Sequence, residues 1–140
     1  MKKDDKEHKA CRYKVPIYDV NFWFIVTSDI KAAHARPARI AYEESCARHG
    51  AELHSNNTHD FYLFINPECV THAFLGHEIS HAAHAICGFV GINADHDNDE
   101  AESYIVYHLH EYIYNKLRRW GIPVAYKATK PQPQPKCHVE

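Results

Sequence analysis

Five consecutive residues, His77-Glu78-Ile79-Ser80-His81, carry the groups with the most definite chemistry in this sequence. Residues four apart stack on one face of a helix, so the two imidazoles can reach a single ion. Neutral imidazole is a good Zn²⁺ ligand, at about 2.0–2.1 Å. Glu78 is rotated from that row by one residue, which lets its carboxylate reach a water at the ion without entering the coordination shell. It is then a candidate general base. The competing reading is a polar or core helix face with no metal, and the 13 histidines of the chain make chance motifs commoner.

A catalytic zinc takes three protein ligands and one water, and a single helix cannot surround the ion. The third ligand is therefore expected from another element. Glu100, within Asp99-Glu100-Ala101-Glu102-Ser103-Tyr104, opens the last predicted helix, where the dipole favours a carboxylate. Glu102 and His96 compete for the role, and each acid also has the ordinary reading of a solvated helix-N-terminal residue. An oxyanion would need a further donor. Tyr104 and Tyr107, one and two turns beyond Glu100, are the candidates, with His108 as another. Aromatics at this spacing are more often packing residues.

With these residues in place the chain resembles the gluzincin branch of the zincin metallopeptidases, in which His-Glu-x-x-His is followed by a helix bearing a glutamate ligand. It is most similar to the minimal zincin-like proteins encoded in tailed-phage genomes. The likeness rests on Phe64-Ile-Asn-Pro, Gly76-His-Glu-Ile-Ser-His, Val90-Gly-Ile and Glu100-x-x-Ser-Tyr104, over about residues 61–117, with a weaker echo in Val15-Pro-Ile-Tyr. The resemblance implies a zinc site of His77, His81 and Glu100, with small Ser103 three residues on. It also implies a peptide or protein substrate, or phage structural proteins as partners. The chain is far shorter than full peptidases and has no evident substrate-binding subdomain.

The elements that must position these groups can be read from pattern. Residues 1–14 are charged and unpatterned and read as a flexible arm. Val15 to Thr27 is β-branched and aromatic, one or two strands. Ser28-Asp29 can cap a helix from Ile30 to about Arg48, interrupted by Pro37 and closed by Gly50. After a polar loop, Phe61–Ile65 reads as a strand whose edge could take up an extended peptide. Asn66-Pro67 is a helix start, predicting a motif helix from Pro67 to about Cys87 that ends at Gly88 or Gly91. Gly76, Ala82, Ala83 and Ala85 would let another element approach it closely. Asp95, Asp97 and Asp99 read as a capped connection. The last helix spans about Asp99 to Arg119, with acids in its first turn, bases in its last, and Gly121 and Pro123 beyond.

The expected architecture is a minimal zincin-like α+β domain over residues 15–126, a small sheet packed on helices, followed by a Pro/Gln-rich disordered tail over 127–140. Hydrophobic residues at 45% and charged residues at 24% suit one ordinary globular core. A net charge of −2 gives no reason to expect nucleic acid, and no apolar run approaches the roughly 20 residues of a membrane span. The charged N-terminus has no apolar stretch behind it, so it does not read as a secretory signal. Five scattered cysteines without a Cys-x-x-Cys pair suit free thiols, with Cys69 and Cys87 as small buried groups. The expectation is a cytoplasmic protein (host cytoplasm or virion, on the resemblance). Its function would be a zinc-dependent hydrolase or, alternatively, a phage structural or assembly protein with a structural or inactive zinc site.

Overall fold

The computed structural model describes residues 9–16, 18–28, 51–55, 60–93 and 95–127. They form an α+β fold: strands β1 (Lys9–Val15), β2 (Val20–Val26), β3 (Ala51–Ser55) and β4 (Asp60–Ile65), then helices α1 (His72–Phe89) and α2 (Glu100–Arg119). The sheet order is β1-β2-β4-β3. β1 and β2 are an antiparallel hairpin, β2 and β4 are parallel, and β3 returns antiparallel to β4.

The two central strands owe their place to continuous apolar character. Phe61, Tyr62, Leu63, Phe64 and Ile65 are all buried, as are Phe22, Phe24, Ile25 and Val26. Strands buried on both faces lose the alternation of a half-exposed strand. One face of the sheet, with Phe22, Phe24, Phe61, Leu63 and Ile65, joins the helices in a single core. Trp120 stacks on Phe24 and Tyr112 on Tyr13, which seats α2 over the β1–β2 hairpin; Phe89 of α1 meets the edge of Phe61.

Residues 9–14 correct the expectation of a loose arm over 1–14. They are most of β1, and their inward residues Cys11, Tyr13 and Val15 alternate with exposed Ala10, Arg12 and Lys14. This period of two is the mark of an edge strand with one wet face. The hairpin turn is closed by Asp19 at φ 50°, a left-handed conformation that aspartate tolerates, with Lys14 Nζ 2.8 Å from its carboxylate. The predicted helix over 30–48 and the tail beyond Lys127 lie outside the described residues.

The motif helix also starts later than expected. Asn66 does not cap it. Its side chain accepts from the Glu68 N–H at 3.0 Å and its carbonyl from the Val70 N–H at 3.1 Å, closing a separate turn. Thr71 is the cap, its Oγ1 accepting from the Phe74 N–H at 3.2 Å, and the His72 N–H is held by the Ala125 carbonyl at 2.9 Å. The far end agrees with expectation: α1 stops at Phe89 and Gly91 adopts φ +80°. For α2 the expected span is found, with Asp99 as N-cap. Asp95 forms the capped connection before it, accepting from the Asp97 N–H at 3.0 Å and the Asn98 N–H at 3.2 Å.

Two further expectations are corrected. β4 is paired on both sides, so Phe61–Ile65 has no edge to offer; β3 is the edge strand beside it. Gly76 does not make room for a close neighbour, since a Cβ there would meet nothing within 4 Å, whereas Ala82 and Ala83 are fully buried. Gly76→Ala should therefore stabilise the fold by up to about 1 kcal/mol, the helix-propensity difference. Gly91→Ala should cost roughly 1 kcal/mol or more, because an alanine is strained at positive φ. Urea unfolding midpoints of the two variants moving in the same direction would contradict this assignment.

Candidate metal centre

α1 buries one stripe, Leu75, Ile79, Ala82, Ala83 and Ile86, against the sheet and α2. At about 100° per residue, His77 and His81 each lie roughly 160° around the helix from Ile79, and His84 about 140°. All three imidazoles are exposed on the outer surface of the helical layer. Glu78 falls about 100° from Ile79 and is half-buried on the flank of that row.

His77 and His81 converge. Their Nε2 atoms are 3.0 Å apart and their rings meet edge to face, with centroids 4.5 Å apart and planes at 79°. Two imidazole lone pairs cannot face each other at this distance without a positive centre between them. In the metal-free protein that centre is one proton, donated by one Nε2 to the other. A tetrahedral ion with two nitrogen bonds of 2.0–2.1 Å holds its donors about 3.3 Å apart, close to the spacing already present. The pair therefore fits a zinc ion with a shift of a few tenths of an ångström.

The charge state suits this. His81 is held below the ordinary histidine value, first because it loses solvation and then because His77 and His84 stand beside it. A histidine that resists protonation keeps its lone pair for a cation.

The carboxylates of α2 divide between two positions. Glu102 lies about 60° from the buried Ile105 and turns toward α1, where its Oε1 is 3.3 Å from His84 Nδ1. Glu100 lies about 140° from Ile105, exposed, with no hydrogen-bond or ion-pair partner among the described residues. With Ser103, Tyr104 and Tyr107 it lines a shallow hollow on the outer face of α2. The residues grouped by the resemblance thus share one face, but the Glu100 carboxylate is not gathered with the two imidazoles. Among the described residues no three His, Cys, Asp or Glu side chains converge on one point. His96 is exposed in the connection before α2.

The remaining candidates separate by burial. Tyr104 and Tyr107 are 59% and 60% exposed and meet the His108 ring rather than the buried core. Tyr112 and Tyr114 take that role instead, stacked on Tyr13 and on His72 and His110. Tyr104 also borders an apolar hollow with Tyr18, Ala101 and His108. His108 and His110 are both half-buried. Cys87 is buried as expected, but Cys69 is only half-buried, in a hollow with Pro67 and Pro123; burial raises both thiols. Among the described residues Cys11, Cys69 and Cys87 form no disulfide, and no helix is long and apolar enough to cross a membrane. From the sequence, His84, three residues after His81, reads as a surface histidine or a support of the site and Glu102 as a competing ligand; their contact with each other was not foreseen.

In the metal-free protein, His81 should titrate below the 6.5 of an unperturbed histidine. The folded chain then binds fewer protons at this site than the unfolded chain. Stability should fall as pH drops through the unfolded value near 6.5, with the loss complete below the folded value and nothing contributed above pH 7. An NMR titration, with the resonance assigned by His81→Gln, checks this, and His77→Gln should move the inflection back up. An inflection at or above 6.5 would sink the electrostatic account.

Comparison with protein-family models, with curated proteins and with solved structures gives no match.

Proposed function

We propose that the chain is a zinc-dependent hydrolase acting on peptide bonds, with His77, His81 and Glu100 as the zinc ligands and Glu78 as general base. One observation carries this reading: the 3.0 Å approach of two solvent-facing imidazole nitrogens, on a helix whose next residue after the first histidine is a carboxylate. Glu100 is the carboxylate of choice because Glu102 lies against His84, while Glu100 has no partner among the described residues and stands at the positive end of α2.

Zinc, when bound, supplies Lewis acidity and lowers the pKa of water to about 7. The work of the chain's own groups follows from their placement. Neutral His77 and His81 orient the site. Glu78, on the flank of the histidine row, accepts a proton from the attacking water and returns it to the leaving amine. The Tyr104 and Tyr107 hydroxyls, on the same face of α2 as Glu100, are the donors available to a developing oxyanion. An extended peptide would add to β3, the edge strand of the described sheet, since β4 is enclosed.

A second reading is a phage structural or assembly protein that keeps a structural or inactive zinc. A structural site would take four protein ligands and exclude water, with His84 or His96 completing the shell.

Elemental analysis of untagged protein, combined with hydrolysis of a quenched fluorescent peptide library, tests the first reading. Wild type should hold about one zinc per chain. His81→Ala and Glu100→Ala should lose it. Glu78→Gln should keep it while activity falls at least ~10²-fold, the scale of a lost general base. One zinc per chain without hydrolysis would favour the second reading. No zinc in the wild type, even after equimolar addition, would remove both.

A further inference from the structure

Two of the four bonds of a tetrahedral zinc are already laid out on α1. The Nε2 atoms of His77 and His81 stand 3.0 Å apart on solvent-facing side chains, near the spacing that one ion imposes on two nitrogen ligands. Among the described residues no third His, Cys, Asp or Glu side chain converges with them. Glu100 lies about 140° around α2 from the buried Ile105, on the side away from α1. His84 has its Nδ1 3.3 Å from the Glu102 carboxylate, and His96 is exposed in the connection before α2. As the chain stands, the pair is half of a coordination shell.

The surface around the pair is unusual for the outer side of a helix. Surface helices ordinarily turn charged residues to solvent, as α2 does with Glu111, Arg118 and Arg119. Besides its histidines, α1 exposes only Ala73, Ser80 and Gly88 over the turns that bear the pair. Its one Asp, Glu, Lys or Arg is Glu78, half-buried on the flank. No cation there repels a metal ion, and no long side chain keeps a neighbouring surface at a distance. A Cβ added at Gly76, beside His77, would meet nothing within 4 Å. His77 and His81 are displaced along the helix, so the plane through an ion and their two nitrogens runs along α1. In a tetrahedral shell the planes of the two ligand pairs are perpendicular. Two copies of α1 sharing an ion about a twofold axis would therefore cross near a right angle and meet only around the ion. So small a contact needs the metal to hold it.

We infer that His77 and His81 form half of a four-imidazole zinc site, completed by the same pair of a second copy of this chain, so that zinc joins two chains at the outer faces of α1. The inference rests on the second reading above, a structural zinc, and names the partner at that site; it makes no use of Glu100. Four imidazoles around one ion leave no bond for water, so the bridged site is closed and structural. The arrangement is isologous: each chain gives the other what it lacks.

Sedimentation equilibrium of the untagged full chain, first in chelator and then with zinc added stepwise, tests this, with bound zinc counted by elemental analysis. In chelator the chain should be a monomer. With zinc its mass should double, the change should be complete at one zinc per two chains, and chelator should reverse it. His77→Ala and His81→Ala should each stay monomeric at the same zinc level, whereas Glu100→Ala should dimerise as the wild type does. Melting in chelator checks that each variant keeps the metal-free fold. A monomer holding one zinc that is lost with Glu100→Ala overturns the bridge and leaves the hydrolase reading standing. A monomer holding one zinc that Glu100→Ala retains overturns the bridge but not the structural zinc, whose shell then closes within one chain. A dimer that persists in chelator, or in both histidine variants, places the association elsewhere and overturns the bridge. A wild type that binds no zinc overturns the bridge together with both readings.

Discussion

A helix lying on a sheet can bury one stripe, and α1 spends its stripe on Leu75, Ile79, Ala82, Ala83 and Ile86. This constraint places everything else of chemical interest. Because the buried positions recur at three and four residues, the row His77, His81, His84 is forced to the opposite side, where water and ions have access. A helix with its histidines in the stripe would need each ring nitrogen satisfied internally at a real cost in desolvation. Here the core is wholly apolar at these positions, and the imidazoles remain exposed and in register with each other. The 3.0 Å approach of His77 and His81 follows from α-helical spacing acting on two exposed side chains.

The path into α1 is held as firmly as its face. β4 is buried along its length and paired on both sides, so the chain leaves the sheet at a defined point. The Asn66 turn then spends two backbone groups before the helix begins, and Thr71 rather than Asn66 satisfies an orphan N–H of the first turn. The bridge from Thr71 to Ala125, with the His72 N–H bonded to the Ala125 carbonyl, ties the start of α1 to the segment that follows α2. His72 adds a 2.7 Å hydrogen bond to the Tyr114 hydroxyl of α2. The two helices are thus tied near the N-terminus of α1 by backbone and side-chain bonds, and near the N-terminus of α2 by the Glu102–His84 contact.

How far the fold could be read from the sequence depended on burial. The central strands were visible because both faces are buried and the residues form unbroken apolar runs, Phe22 to Val26 and Phe61 to Ile65. β1 was missed because its charged outward residues, Arg12 and Lys14, masked the alternating inward set Cys11, Tyr13 and Val15. β3 was missed because the short stretch Ala51–Ser55 joins the sheet only through its antiparallel pairing with β4, a non-local partner that no local pattern announces. Both are edge strands. The helix starts divided on a subtler point. Asn-Pro is a sound local signal for a cap, but Asn66 reaches its own turn first, and a threonine five residues on had the free hydroxyl where α1 begins. At the candidate site, helical spacing alone paired His77 with His81. The contact between α1 and α2 was out of reach, because it depends on how two helices are rotated on a shared core.

That rotation assigns different work to two neighbouring acids. Glu100 and Glu102 lie two residues apart, about 200° around α2, so they cannot share an environment. Ile105 and Leu109, fully or nearly fully buried, set the rotation of the helix and leave Glu102 beside α1 and Glu100 in solvent. Both gain from the helix N-terminus, and neither identity nor dipole distinguishes them. What distinguishes them is that Glu102 has a histidine within reach and Glu100, among the described residues, has none. A carboxylate beside an imidazole is drawn into a local contact, and one without such a neighbour stays in solvent at the positive helix end. The apolar stripe of α2, which takes no part in any chemistry, therefore decides which acid meets α1 and which faces solvent.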